Sequence, residues 1–179
     1  MTLSSVPKLP GLFSRGLAPL PLEPLQWSLG RVLRTVAARH PELFERLGSH
    51  ALKRFGVAPT DLPFAFVIEP RPCTPRIAVV RALPRGLAVR IVGPLFALLG
   101  LVDGSYDGDA LFFSRDLVIE GDFEAVLALR NALEDAEVDL VAEAAAQFGP
   151  LAPVGQRLLR GALVGLQELA GAFARAGAR

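Results

Sequence analysis

Between residues 24 and 140 the spacing of apolar residues changes period, and the order of those changes restricts the fold more than any other feature of the chain. Residues 24–39 (PLQWSLGRVLRTVAAR) place Leu25, Leu29, Val32 and Val36 at steps of four, three and four, one face of an α-helix. Pro41 ends that helix and opens a second, predicted to run through Phe55 with Leu43, Leu47, Ala51 and Phe55 inward. The period then falls to two. Residues 64–69 (FAFVIE) alternate as a strand does, with Phe64, Phe66 and Ile68 on one face. PRPCTP (70–75) is a turn, and 77–81 and 87–92 are two further strands about a turn at Pro84-Arg85-Gly86. Gly93-Pro94 breaks the last strand, and 95–102 is a short apolar helix. After the loop DGSYDGD (103–109) come a helical turn at 110–114 and a strand at 117–120. Gly121-Asp122 opens the next helix, with Asp122 as its N-cap and Val126, Leu129, Leu133, Ala136 and Leu140 along one side. Gly149-Pro150 and Pro153 stop it, and 156–176 is a final amphipathic helix.

Helices, three consecutive strands, then helices around one more strand make an α+β pattern. The βαβ alternation of nucleotide-binding folds is missing, and so are its glycines. A chain of 179 residues suits one domain with helical extensions and buries ~70% of its unfolded surface without disulfides or metal. The predicted organisation is a Pro-rich lead over 1–23, a domain over 24–148 with its core at 56–140, and the helix of 149–179.

Composition removes several function classes. Hydrophobic residues are 51% and charged residues 21%, too apolar for intrinsic disorder. The single Cys73 rules out a disulfide framework and a multi-cysteine metal site, and fits a reducing compartment. Five prolines among the first 24 residues interrupt any signal-peptide core. The longest apolar run, 91–102, is too short to span a bilayer. Net charge is +1 but unevenly spread. Residues 1–100 carry 13 Lys/Arg and 5 Asp/Glu (+8), residues 101–150 carry 2 and 12 (−10), and the remainder carry 4 and 1 (+3). A basic end and an acidic end follow. Without a basic run, aromatic–basic interleaving or zinc spacing, nucleic acid is not an expected partner.

Candidate chemistry is sparse. Asp103, Ser105, Asp107 and Gly108 match positions of a calcium-binding EF-hand loop, but Ser114 stands where a bidentate Glu is needed, so a solvated turn is the better reading. His40 sits at a helix boundary and His50 within a helix, with no GxSxG elbow for a hydrolase. Cys73 lies between prolines in a turn, and GALVG (161–165) reads as close helix packing. What stands out is apolar bulk: Phe64, Phe66, Leu95, Phe96, Leu98, Leu99, Leu111, Phe112 and Phe113. Singly each suits an ordinary core; together they suit a cavity for an apolar ligand.

The stretch DALFFSRDLVIEGDFEAVLALRNALEDAEVD (109–139) resembles a family of bacterial accessory factors of oxygen-independent ubiquinone biosynthesis, within the sterol carrier protein superfamily. The superfamily pattern is an apolar helix (95–102), a loop (103–109), a Phe-containing turn (Leu111-Phe112-Phe113), a short strand (117–120) and Gly121-Asp122 opening a helix. The narrower match is LFF-x-R-x-LVIEGD, with Arg115 where the wider superfamily usually has Gly. The likeness is good over 64–139 and weaker outside.

The resemblance implies a sterol carrier protein-like α+β fold, a twisted mixed sheet of about five strands covered by helices around an apolar cavity. It implies no catalytic residues and no cofactor. Its ligand would be a lipid or prenylated quinone precursor, held by Phe64, Phe66, Leu95, Phe96, Leu99, Leu111, Phe112, Phe113 and Leu127. Its partners would be peptidase-like iron–sulfur ubiquinone hydroxylases, whose clusters this chain has no cysteines to hold. A multi-isoprenoid tail, at ~0.8 kcal/mol per buried CH₂, needs a carrier or a membrane dock to meet soluble enzymes. Two other readings compete: an adaptor of the same fold with no bound lipid, and a hydrolase using His40 or His50 with an acid from 103–124. The expected location is cytoplasmic, peripheral on the inner face of the cytoplasmic membrane. Helix 24–39 would face an anionic bilayer through Trp27, Arg31 and Arg34, and the tail helix carries a similar basic, apolar pattern. The alternative packs both apolar stripes onto the domain or into a homodimer.

Overall fold

The computed structural model describes residues 9, 17–19, 21–103, 117–136, 164, 165 and 168. Helix α1 (Glu23–Arg39) carries Pro24 in its first turn, where the ring is tolerated, and ends where the His40 N–H donates to the Val36 carbonyl. Helix α2 (Glu42–Leu47) follows Pro41. It stops at Gly48, whose φ of +51° no continuing helix tolerates, and the chain tightens into a 3₁₀ segment, Gly48–Leu52.

The second predicted helix is therefore cut short. Phe55 is not its last residue but the first of β1 (Phe55–Pro59), a strand that the spacing hid. Leu43, Leu47 and Ala51 are buried as expected, and Phe55 is fully buried too, though from a strand. Sheet pairing on both sides of Phe55 overrides the four-residue step.

The other strands lie within two residues of their predicted bounds: β2 (Ala65–Glu69), β3 (Arg76–Val80), β4 (Val89–Gly93) and β5 (Val118–Gly121). Helix α3 (Leu95–Asp103) follows β4, and α4 (Phe123–Asp135) follows β5. The sheet runs β3-β2-β1-β4-β5. It is antiparallel at every junction but one, where β1 and β4 run parallel from Phe55 beside Val89 to Pro59 beside Gly93. This mixed five-stranded sheet, preceded by a helix and covered by others, is the α+β architecture read from the chain.

Two apolar layers hold it together. The first lies between the sheet and helices α3 and α4, around Phe55, Val89, Ile91, Phe96, Leu117 and Val126. The second joins α1, α2 and α4 through Val36, Leu43, Leu47, Ala51 and Ala132. Fully buried residues such as Phe55, Val89 and Leu47 contribute roughly 1.5–3 kcal/mol each. Helix α1 runs beside the β3 edge, where Gln26 Oε1 accepts the outward N–H of Val79 at 3.4 Å. A covered edge cannot recruit a stray strand.

Candidate functional site

Register decides what the sheet offers to its helices. Cross-strand partners share a face, so one row across all five strands reads Ile77, Ile68, Phe55, Val89 and Gly121. The next reads Val79, Phe66, Val57, Ile91 and Ile119. Both rows face α3 and α4, since Phe55, Val89 and Ile91 pack there with Phe96, Ala97, Leu98, Ala125 and Val126. Helix α3 (LFALLGLVD) has no polar side chain before its last residue. A layer so lined can hold hydrocarbon.

The predicted lining residues fall at different depths. Phe64 and Phe66 are partly buried and meet edge to face, with ring centroids 5.7 Å apart. Phe96 is buried in the first layer, Leu95 packs against it, and Leu99 is partly buried. Leu127 is 46% exposed; at this level of α4 the layer receives Val126 and Leu129 instead. Leu111, Phe112, Phe113, the acidic loop beyond Asp103 and most of the tail helix lie outside the described residues. Among the described residues no His, Cys, Asp and Glu come together to hold a metal. Trp27, Arg31 and Arg34 are exposed on α1, while Val32 and Val36 of the same helix pack inward.

The Gly-Asp pair that opens α4 is architectural. Gly121 has φ +95°, and a Cβ there would stand 2.2 Å from the Ala88 carbonyl oxygen, so only glycine fits. The Asp122 N–H donates to that same oxygen at 2.9 Å. Asp122 Oδ1 accepts from the Ala125 N–H at 3.0 Å, the expected N-cap, and Oδ2 accepts from Lys53 Nζ. Lys53 Nζ also reaches His50 Nδ1 at 2.9 Å. The Lys53 hydrogen bond, then the Ala125 N–H, hold the Asp122 carboxyl below its ordinary range. His50 and Asp122 thus meet through Lys53 and clamp the 3₁₀ segment to α4. His40 pairs instead with Glu42 at 3.2 Å.

Sequence reasoning missed Asp61. Its side chain is buried in the β1–β2 loop, and both oxygens are used: Oδ1 accepts the Leu95 N–H at 2.9 Å and Oδ2 accepts the Leu9 N–H at 3.0 Å. The first bond caps α3, whose preceding Pro94 has no side-chain acceptor to do so. The second ties the Pro-rich lead to the domain, with Leu9 buried in the first layer. No local spacing reveals it, because the partners lie 34 and 52 residues away.

A family model described as the SCP-2 sterol transfer family matches residues 33–134, more than half of the chain. The chain belongs to the SCP-2 sterol transfer family. The matched span runs from within α1 to the last turn of α4, so it holds the whole sheet, most of both apolar layers and the Gly121-Asp122 turn. Among solved structures, one titled "UbiJ-SCP2 Ubiquinone synthesis protein" superposes with a TM-score of 0.54 at 21% identity, covering 67% of this chain and 98% of that one. The apo form of sterol carrier protein 2 from Yarrowia lipolytica aligns with a TM-score of 0.46 at 13% identity, over 61% of this chain and 87% of that one. No curated protein matches the chain. In this SCP-2 domain no described helix is long and apolar enough to cross a membrane.

Proposed function

We propose that this SCP-2 domain is a non-catalytic lipid-binding accessory protein, which takes prenylated quinone precursors between its sheet and α3 and serves ubiquinone synthesis without oxygen. The observation that carries the reading is the pair of cross-strand rows, apolar at every position but Gly121, beneath a helix equally devoid of polar groups. Such a layer pays no desolvation cost for an isoprenoid tail, and each CH₂ transferred into it is worth ~0.8 kcal/mol. Phe64, Phe66, Leu95, Phe96 and Leu99 would line the site, joined by Leu111, Phe112 and Phe113, with Leu127 at its rim.

Two further observations point to quinone synthesis rather than sterol transport. One is the LFF-x-R-x-LVIEGD stretch, with Arg115. The other is the shared fold of the ubiquinone synthesis protein, nearly all of which aligns. The ring chemistry would belong to iron–sulfur hydroxylase partners, since one cysteine cannot ligate a cluster. The working place of such a carrier is the cytoplasmic face of the membrane that holds the quinone.

Native mass spectrometry of protein purified from bacteria grown without oxygen tests this reading. A bound prenylated ring compound is expected, absent from a folded Phe112→Asp variant because an unpaired carboxylate is costly in an apolar site. Folded wild-type protein without lipid, or a variant carrying the wild-type load, overturns it. An adaptor reading of the same fold draws on Phe123 and Leu127, one turn apart on α4 and 52% and 46% exposed. Lipid-free protein that still binds the hydroxylases selects the adaptor.

A further inference from the structure

The apolar layer between the sheet and its helices meets polar groups beyond both ends of β1, and the two ends differ. Asp61 follows the last residues of the strand and is 8% exposed. Both of its carboxylate oxygens are taken by backbone N–H groups, those of Leu95 and Leu9, and Leu9 is itself buried. That end is closed. Beyond the other end, past ~17 Å of strand, stands Lys53. Its backbone is extended, so its side chain leaves on the same side as that of Phe55, the side covered by α3 and α4. Lys53 Nζ meets Asp122 Oδ2 at the start of α4 and His50 Nδ1 at 2.9 Å. The Lys53 and Asp122 side chains are 30% and 33% exposed, so this end is open. Leu52, beside Lys53, and Phe123, beside Asp122, are exposed and give the opening an apolar rim.

The hydrogen bonds at the open end leave a defined remainder. An ammonium group only donates, so His50 Nδ1 accepts, and in the neutral imidazole the proton then sits on Nε2. Of the three N–H bonds of Lys53, two are engaged. One N–H of Lys53 and the Nε2–H of His50 are left to donate, without another partner among the described residues. The charge of Lys53 is already matched by Asp122.

We propose that Lys53 and His50 form the mouth of the lipid layer and bind the oxygenated ring of a prenylated phenol or quinone, whose tail runs inward toward Asp61. The inference rests on the lipid-binding reading and gives its ligand a direction. A ring carbonyl or phenol oxygen has two lone pairs and can accept from both donors. A diphosphate or a free carboxylate fits less well, because the Asp122 carboxylate stands beside the donors and repels a second anion. A tail without oxygen leaves both donors unused.

Three probes are titrated into the full chain labelled with nitrogen-15: a benzoquinone carrying a short isoprenoid tail, farnesene (a tail with no oxygen) and farnesyl diphosphate. The quinone should bind best and shift the His50 imidazole resonances. Lys53→Met and His50→Phe should each weaken the quinone roughly threefold to tenfold, what one hydrogen bond contributes, and leave farnesene unchanged. Lys53→Arg keeps its donors and should retain most of the quinone affinity. Lys53 also holds α4, so only protein with the wild-type circular dichroism is compared, and His50→Phe leaves the Lys53–Asp122 pair in place. Equal weakening of quinone and farnesene would show a purely structural clamp and overturn the proposal. So would quinone affinity indifferent to both variants, or a preference for farnesyl diphosphate. Wild-type protein that binds farnesene as well as quinone keeps the carrier reading and overturns the mouth alone. Wild-type protein that takes none of the probes overturns the lipid-binding reading and the mouth with it.

Discussion

The two apolar layers are built from different material. The first is backed by the sheet and filled with large side chains such as Phe55 of β1, Ile91 of β4 and Phe96 of α3, from segments far apart in the chain. The second is entirely helical, and small residues set its spacing: Ala51 and Ala132 are buried, with Ala128 and Ala136 beside them. Helix α4 belongs to both, giving Val126 to the first and Ala132 to the second. Close packing of small residues leaves little room for a guest, whereas long aliphatic and aromatic chains can part or re-pack around one. On the proposed reading the helical layer would act as a mount, and the sheet-backed layer would accommodate the ligand.

The largest effect should come at the joint between them. Gly121→Ala places a Cβ against the Ala88 carbonyl in a left-handed conformation, so a loss of more than about 3 kcal/mol is expected in urea unfolding. Leu47→Ala, in the mount, should cost about 2–5 kcal/mol yet leave the lipid carried per folded molecule unchanged. Loss of lipid from folded Leu47→Ala protein would erase the distinction between the layers. Asp61→Asn keeps one acceptor but turns an amide N–H toward a backbone N–H, with an expected cost of about 1–3 kcal/mol. Amide exchange at Leu9 and at the first turn of α3 tells which of the two bonds is lost.

The smallest effect concerns pH. The Asp122 carboxyl titrates lower in the folded protein than in the unfolded chain, so its contribution is present above the unfolded value of about 4 and fades as pH falls through the folded value. Lys53→Met removes the chief cause of the shift. The variant should be less stable than wild type at neutral pH, and the gap should narrow in acid denaturation below about pH 4. A gap that stays constant into acid would show that Lys53 acts by packing alone.

Elements with a clear period were legible in the chain, and they failed where one pattern mimicked another. Residues 64–69 alternate cleanly, and the strand is there. FGVAP does not alternate, contains Gly and Pro, and begins with a Phe that completes the helical series from Leu43, so β1 was invisible. The Gly121-Asp122 turn was readable because its chemistry is local: a forced glycine and a cap three residues from its donor. Asp61 was unreadable because both of its donors come from elsewhere in the fold. On α1 the four-three-four step found the helix, but only packing reveals that Val32 and Val36 face inward and leave Trp27 outside.

The placement of β1 at the centre of the sheet also sets an order of assembly. Strands β1, β2 and β3 form a meander of tight antiparallel neighbours, which can close with little loss of chain entropy. The parallel partner β4 closes a much longer loop, since Phe55 meets Val89 across everything in between, so it is expected to join after the meander. Until then β1 is an open edge in a half-built molecule, and the first apolar layer has no floor beneath α3. Distant pairings of this kind slow folding, so the docking of β4 is the expected bottleneck and the moment of greatest exposure to misassembly.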